Sequence, residues 1–279
     1  MDLGVRELRP GDDGYPVRLS DTLADPPGSL WMSGCYRAAE RTVAIVGARA
    51  ASVRGEKMAR EIGEAVATAG IDVISGGALG IDSAAHRGAL DGHGVTVAVL
   101  GTGIDIIYPQ RHADLFQEIV REGGALLTQF PPGLGPRRFS FPTRNKIVAA
   151  LGDALVVVEA SGESGSLHTA RAARAFHRRV LAVPGSAGTD ALLLEGALPV
   201  ACAADVVAVL QGGEAAPPIL PEDPDALRLY AALDRVPRDV SDLAFRAGLA
   251  VGTCAAAVID LELGGLVARA AGGRYLRLW

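Results

Sequence analysis

Four apolar runs, three of which stop at glycine and the fourth just before a Gly/Ser loop, constrain this chain more than any other feature. Thr42–Val46 ends at Gly47, Ile71–Ser75 at Gly76-Gly77, and Val95–Leu100 at Gly101 and Gly103. Ala154–Val158 runs into the Gly/Ser loop Ser161–Ser166. Each run is nearly all apolar, the pattern of a strand buried on both faces. Segments of helical period separate them: Glu56–Ala69, Ile81–Leu90, Ala113–Arg121, and a helix from near Leu167 to Phe176. Ala125–Thr128 and Val180–Val183 read as further strands. Strands alternating with helices predict an α/β fold with a doubly wound, mostly parallel sheet. Ligands of such sheets sit at the carboxyl ends of the strands, near the point where strand order reverses. The glycine turns gather on that rim and predict a shared binding face.

The flanks read differently. Residues 1–41 are irregular and acidic, and Leu30-Trp31-Met32 reads as a short strand or anchor, so 1–41 is expected to be an extension packed on a main domain at 42–211. The Pro/Gly-rich segment 212–224 reads as a linker. Beyond it, Ala226–Leu233, Val240–Ala247 and Thr253–Leu263 read as three helices. A hairpin with a Gly272-Gly273 turn follows, so 225–279 is expected to be a winged-helix domain. Its third helix has no Lys or Arg between Val251 and Leu266 but carries Asp260 and Glu262. Insertion into a major groove would set those acids against phosphates. Protein contact or packing is the expected role.

The chemistry concentrates in Phe139–Thr169. A basic, polar cluster (Arg137, Arg138, Arg144, Asn145, Lys146) precedes the Ala154–Val158 strand, and the Gly/Ser loop opens the next helix. Free N–H groups and the helix dipole make such a loop an anion site. The net charge is −5, which excludes a surface that is basic all over. The positive charge is local: Leu134–Val180 holds eight Lys or Arg against three acids, and 181–218 holds no Lys or Arg. Arg171, Arg174, Arg178 and Arg179 fit either this basic region or the solvated face of one helix.

Several classes are excluded. Gly47-Ala48-Arg49 lacks the second and third glycines of a dinucleotide fingerprint, and Arg49 stands where a pyrophosphate needs close backbone approach. Arg49 is instead placed to pair with a phosphate. No Walker lysine pattern is present. Asp82 and His86 stand at i and i+4, a spacing more typical of a helix-surface or capping contact than of a metal pair. No catalytic set, metal site or cofactor is predicted. Cys35, Cys202 and Cys254 are odd in number and lack metal-ligand spacing, which fits a reducing cytoplasm. The first residues show no secretory pattern, and no apolar run reaches the ~20 residues of a membrane helix.

The motifs together resemble one family. They are Val43–Arg49, Ser75–His86, Ala98–Gly103 with Tyr108-Pro109, Phe130–Gly133, Phe141–Ile147, Val156–Ala160, Ser164–Ser166 with Thr169-Ala170, and Ala182–Gly185. Tyr15-Pro16 and Asp25–Gly28 fit upstream, and Leu261–Val267 with Gly273–Tyr275 fits the tail. In order and number they resemble the DNA processing protein A (DprA/Smf) family. The resemblance implies an extended Rossmann-like domain with a small C-terminal winged helix. It further implies a homodimer that binds single-stranded DNA, protects it and loads the RecA recombinase during natural transformation or recombination, without being an enzyme. Carried over, it implies phosphate contacts by Arg49, Arg144, Asn145 and Lys146 and by the backbone N–H groups of Gly47, Gly76, Ser164, Gly165 and Ser166. Phe139 or Phe141 is expected to stack on a base. Leu79 stands where the family usually has Arg, so Arg137 and Arg138 are expected to carry part of the affinity. The helical N-terminal domain of many members is not expected here. The alternative is an enzyme resembling the nucleoside-monophosphate phosphoribohydrolases, whose phosphate loop is followed by a helix Glu. Ser161–Thr169 lacks that Glu.

Overall fold

A computed structural model describes residues 4–37, 39–216 and 219–278. The outer ends of the expected extension and winged helix, and the middle of the expected linker, lie outside the described residues. A nine-stranded sheet forms the main body, in the order β1-β2-β6-β5-β4-β3-β7-β8-β9. Its strands are β1 Arg6–Leu8, β2 Leu30–Gly34, β3 Thr42–Val46, β4 Asp72–Ser75, β5 Thr96–Val99, β6 Ala125–Thr128, β7 Ala154–Val157, β8 Arg179–Ala182 and β9 Leu198–Pro199. The strands from β3 to β9 pair in parallel, whereas β1–β2 and β2–β6 are antiparallel. Strand order reverses between β3 and β7, which makes that gap the topological switch point.

Helices cover both faces, so the central strands are buried throughout; every residue of β3, β4, β5, β6 and β7 is buried. α1 (Val17–Thr22), α5 (Ser140–Leu151) and α6 (Gly165–Ala175) pack on the face that carries Ala44, Ile74, Val97 and Leu155. α2 (Val53–Thr68), α3 (Ile81–Asp91), α4 (Ala113–Arg121) and α8 (Ala203–Leu210) cover the other. α2 and α3 touch through glycine. A Cβ on Gly88 would fall 2.0 Å from the Arg60 carbonyl, and one on Gly63 would fall 2.4 Å from the Ala85 carbonyl. α7 (Ala187–Leu194) lies at the β8 end of the sheet.

The flank expected to be irregular is ordered. Residues 6–34 supply β1, α1 and β2, which extend the sheet beyond β6. The basic segment after β6, read without an element, forms α5. Pro142 sits in the first turn of α5, where its missing N–H breaks no helical bond. Beyond the linker, α9 (Pro224–Ala232), α10 (Val240–Ala247) and α11 (Val251–Leu263) enclose their own core of Leu229, Tyr230, Leu243, Val258 and Leu261. The hairpin β10 (Val267–Ala270) and β11 (Arg274–Arg277) completes the winged helix. None of the described helices is long and apolar enough to cross a membrane on its own.

One core contact makes stability depend on pH. His86 on α3 is fully buried, and its Nδ1 lies 2.7 Å from Thr96 Oγ1. The threonine hydroxyl donates its single hydrogen to the Val73 carbonyl, so it accepts from His86 Nδ1–H. Nε2 is buried without a partner. A proton there would meet no acceptor, and burial, helped by His112 and Arg144, pushes the imidazole pKa down to about 3. The sign follows by linkage. The unfolded chain binds the proton near pH 6.5 and the folded chain only near 3, so this contribution is complete above 6.5 and drains away as pH falls between them. The urea midpoint is therefore expected to fall from pH 7 to pH 5. His86→Leu is expected to flatten that slope; a variant with the wild-type slope would contradict the assignment.

Candidate nucleic-acid interface

A cleft of about 920 Å³ opens at the switch point. Its floor comes from the carboxyl ends of β3 and β4, at Val46, Gly47 and Gly76. One bank is the β3–α2 turn with Arg49. The second is Pro136–Asn145 at the start of α5, and the third is the post-β7 loop with the first turn of α6, from Ser161 to Thr169. Asn145 Nδ2 donates to the Gly165 carbonyl at 3.2 Å, which ties the second bank to the third. The basic cluster and the Gly/Ser loop therefore face one space.

Arg49 is exposed, and its guanidinium lies 5.0 Å from the centre of the Phe141 ring. Phe141 rests on Gly101, where a Cβ would fall 2.7 Å from the ring, and the Tyr108 ring stands 5.7 Å away. A cation over an aromatic face is held without losing its charge. Phe141 is thus a shelf under Arg49. Phe139 is 61% exposed, braced edge-on by Phe130, and lies outside the cleft lining. Of the two aromatics expected to stack on a base, Phe139 is the one left open. Tyr108 and His168 also line the cleft, both exposed. Tyr108 is not among the site residues expected from the sequence, where the Tyr108-Pro109 pair is its only signal.

Arg144 needs a different role from the one expected. It is 4% exposed, and its Nη1 donates to the Gly76 carbonyl and, at 2.5 Å, to the Val99 carbonyl. The side chain clamps the ends of β4 and β5 from beneath the cleft. Burial lowers its pKa to about 10, still far above neutrality, so the guanidinium keeps its charge. Asp82 lies near it. Burial pushes that carboxyl up, while Arg144 and the N–H groups of Ala78 and Gly76 pull it back in part. Asp82 and His86 are both buried, not at the helix surface. Gly47 is required for packing: a Cβ there would fall 2.5 Å from Ile81 and 2.8 Å from the Glu159 carbonyl. Lys146 is exposed but lies outside the lining, about 200° around the helix from Arg144.

Two helix N-termini meet this rim. At α2, the Glu159 carboxylate accepts from Ser52 N (3.0 and 3.2 Å) and from Ser52 Oγ (2.6 Å). An internal anion already occupies that end. At α6, Ser164 is the N-cap, with its Oγ 2.7 Å from Ser166 Oγ and a weak 3.4 Å bond from Ser166 N. This end faces the cleft with hydroxyls and backbone N–H groups, and the acid that precedes the cap, Glu163, is exposed outside the cleft lining. Arg137 and Arg138 are exposed on the opposite bank. Two of the later arginines serve packing instead. Arg174 pairs with Glu195 and the Leu192 carbonyl, and Arg178 donates to Thr22 Oγ1. Arg171 and Arg179 are exposed.

Arg144→Met deprives two buried carbonyls of a charged donor. It is expected to cost about 1.5–3 kcal/mol of stability in urea unfolding, whereas Arg49→Ala is expected to stay within about 0.5 kcal/mol. Equal costs would refute the division into clamp and rim.

The geometry has relatives. A family model described as "DNA recombination-mediator protein A" matches residues 7–211, and one described as "DprA winged helix domain" matches 213–273. Protein Smf of Escherichia coli (strain K12) is 38% identical over 97% of this chain and 77% of its own length. A putative DNA processing protein DprA of Mycobacterium tuberculosis is 45% identical over 74% of this chain and 58% of its own. The X-ray structure of DNA processing protein A from Streptococcus pneumoniae superposes with a TM-score of 0.65 at 36% identity, covering 73% of each chain. DNA processing protein A from Helicobacter pylori, solved for its single-stranded DNA binding mode, does so with 0.65 at 27% identity, covering 75% of this chain and 96% of that one. Sheet, switch-point cleft and winged helix agree with these matches in order along the sequence, and the chain belongs to the DprA/Smf family.

Proposed function

We propose that the chain binds single-stranded DNA in the switch-point cleft by its backbone phosphates, protects it, and loads the RecA recombinase onto it during natural transformation or recombination. The observation that carries this reading is the charge arrangement of the cleft. Arg49, Arg137 and Arg138 stand exposed on its banks, and Arg144 and Asp82 offset each other in the floor. The α6 N-terminus is open, and both lining carboxylates, Asp82 and Glu159, are engaged by backbone N–H groups. A surface built this way attracts a chain of phosphates without reading bases. Phe139, and Tyr108 at the shelf edge, offer aromatic faces to any base. The H. pylori relative, studied for its single-stranded DNA binding mode, supports the same reading.

The cleft is read as a binding site and not as an active site. α6 carries no acid in Gly165–Ala175, where a phosphoribohydrolase would need its Glu. Work as a homodimer in the cytoplasm belongs to the same proposal; the three unpaired cysteines suit a reducing compartment.

Fluorescence anisotropy with labelled oligonucleotides tests the reading. Single strand is expected to bind more tightly than duplex. With three phosphates neutralised, the log–log salt slope is expected near −2, at roughly 0.7 per phosphate. Arg49→Ala with Arg138→Ala is expected to flatten it by about 1.4. Equal affinity for duplex and single strand, or binding indifferent to salt, would overturn the proposal.

A further inference from the structure

The outer face of α6 carries charge that the fold does not use. Ser164 to Thr189 holds no Asp or Glu, and its four arginines are Arg171, Arg174, Arg178 and Arg179. Arg174 is spent on Glu195 and the Leu192 carbonyl, and Arg178 on Thr22. Arg171 is exposed and has no hydrogen-bond or ion-pair partner among the described residues. It shares a helix face with His168, three residues before it. That face begins in the cleft, because His168 lines it. At roughly 1.5 Å per residue, Arg171 stands about 4.5 Å further along the helix axis.

α5 completes the face. It packs on α6, and Asn145 Nδ2 meets the first residue of α6 at the Gly165 carbonyl. Successive residues turn about 100° around a helix. Arg144 points to the cleft floor, Asn145 to α6, and Lys146, the next, outward to solvent. Lys146 also has no partner among the described residues. The other exposed residues of α5 are Pro142 and Thr143, neither of them an acid. On the opposite flank, α7 exposes Ala187, Ala191 and Leu194, and Glu195 just beyond it is held by Arg174. One acid stands at the start of the face: Glu163, exposed in the loop before the α6 cap and outside the cleft lining. The far end differs, because Arg178 reaches Thr22 and so brings the exposed Asp21 there. The face is therefore basic from the cleft as far as Arg171, with Lys146 and Arg171 set against Glu163.

We infer that the outer face of α5 and α6 is a second nucleic-acid contact: Arg171 and Lys146 each hold a phosphate of the single strand after it leaves the cleft past His168. This rests on the cleft binding single-stranded DNA. It gives Lys146, which stands outside the cleft, a place on the same strand.

Oligonucleotide length separates the two contacts. Anisotropy is measured on the full chain with oligo(dT) of four and of thirty nucleotides. The shorter has three linking phosphates, one for each of Arg49, Arg137 and Arg138, and none to spare for α6. Arg171→Ala with Lys146→Ala is expected to leave the short oligonucleotide unchanged and to weaken the long one several-fold. The salt slope for the long one is expected to flatten by about 1.4, two phosphates at roughly 0.7 each. Arg171→Lys is expected to retain wild-type binding, since a point charge suffices for a phosphate. Arg121→Ala removes an exposed cation from α4, on the other face of the sheet, and is expected to change neither length. Wild-type affinity and slope for the long oligonucleotide in the double alanine variant would overturn the inference while leaving the cleft reading intact. So would an equal loss at both lengths, or an equal loss in Arg121→Ala. A wild-type chain that binds neither length would overturn both readings.

Discussion

The cleft depends on one buried guanidinium. Arg144 reaches from α5 under the rim and ties the carbonyl ends of β4 and β5 together at Gly76 and Val99. A cation this deep is costly unless its donors are used and a counter-charge stands near. Asp82 supplies that charge from α3. The pair gives the floor a fixed shape, while the rim cations stay exposed and able to meet a ligand. Gly76 is part of the same arrangement: a Cβ there would fall 2.0 Å from the guanidinium, so the clamp and the glycine need each other.

The second constraint is which helix end stays open. Doubly wound sheets present helix N-termini at the switch point, and dinucleotide folds use the first of them for pyrophosphate. Here Glu159 occupies the α2 end through Ser52. A phosphate brought to that end would meet a carboxylate. The α6 end, capped by Ser164 and with the preceding Glu163 exposed outside the cleft lining, is the one not already held by a carboxylate. Together with Arg49 above the Phe141 shelf, this moves the favourable potential off the small-cofactor position and along the groove between α5 and α6.

Much of this was legible in the sequence for physical reasons. Strands buried on both faces leave uninterrupted apolar runs, so β3, β4, β5, β6, β7 and β8 could be read directly, and the glycines after them marked the rim. The winged helix was legible because its helices bury one face each and Gly272-Gly273 permits only a turn. β1 is not, since it is three residues long and pairs only with β2, and β2 is legible only as a short strand or anchor, because its partner β6 lies about ninety residues downstream. α5 was missed because Pro142 opens it and its second half is buried on all sides, which erases the amphipathic period. The clamp formed by Arg144 is hidden in the sequence for a related reason. Residue type and motif are the same whether an arginine faces a phosphate or a carbonyl, and only packing tells them apart. A glycine after a strand signals close approach without saying what approaches; at Gly47 it is Ile81, and at Gly76 it is Arg144.

The most direct test of the central claim is hydrogen exchange of the full chain with and without a thirty-nucleotide oligo(dT), read by mass spectrometry. The account predicts slowed exchange of amides at 48–51, 137–145 and 161–168, with the α2 and α3 faces unchanged. Protection confined to α10 and α11, with none around the switch point, would contradict it.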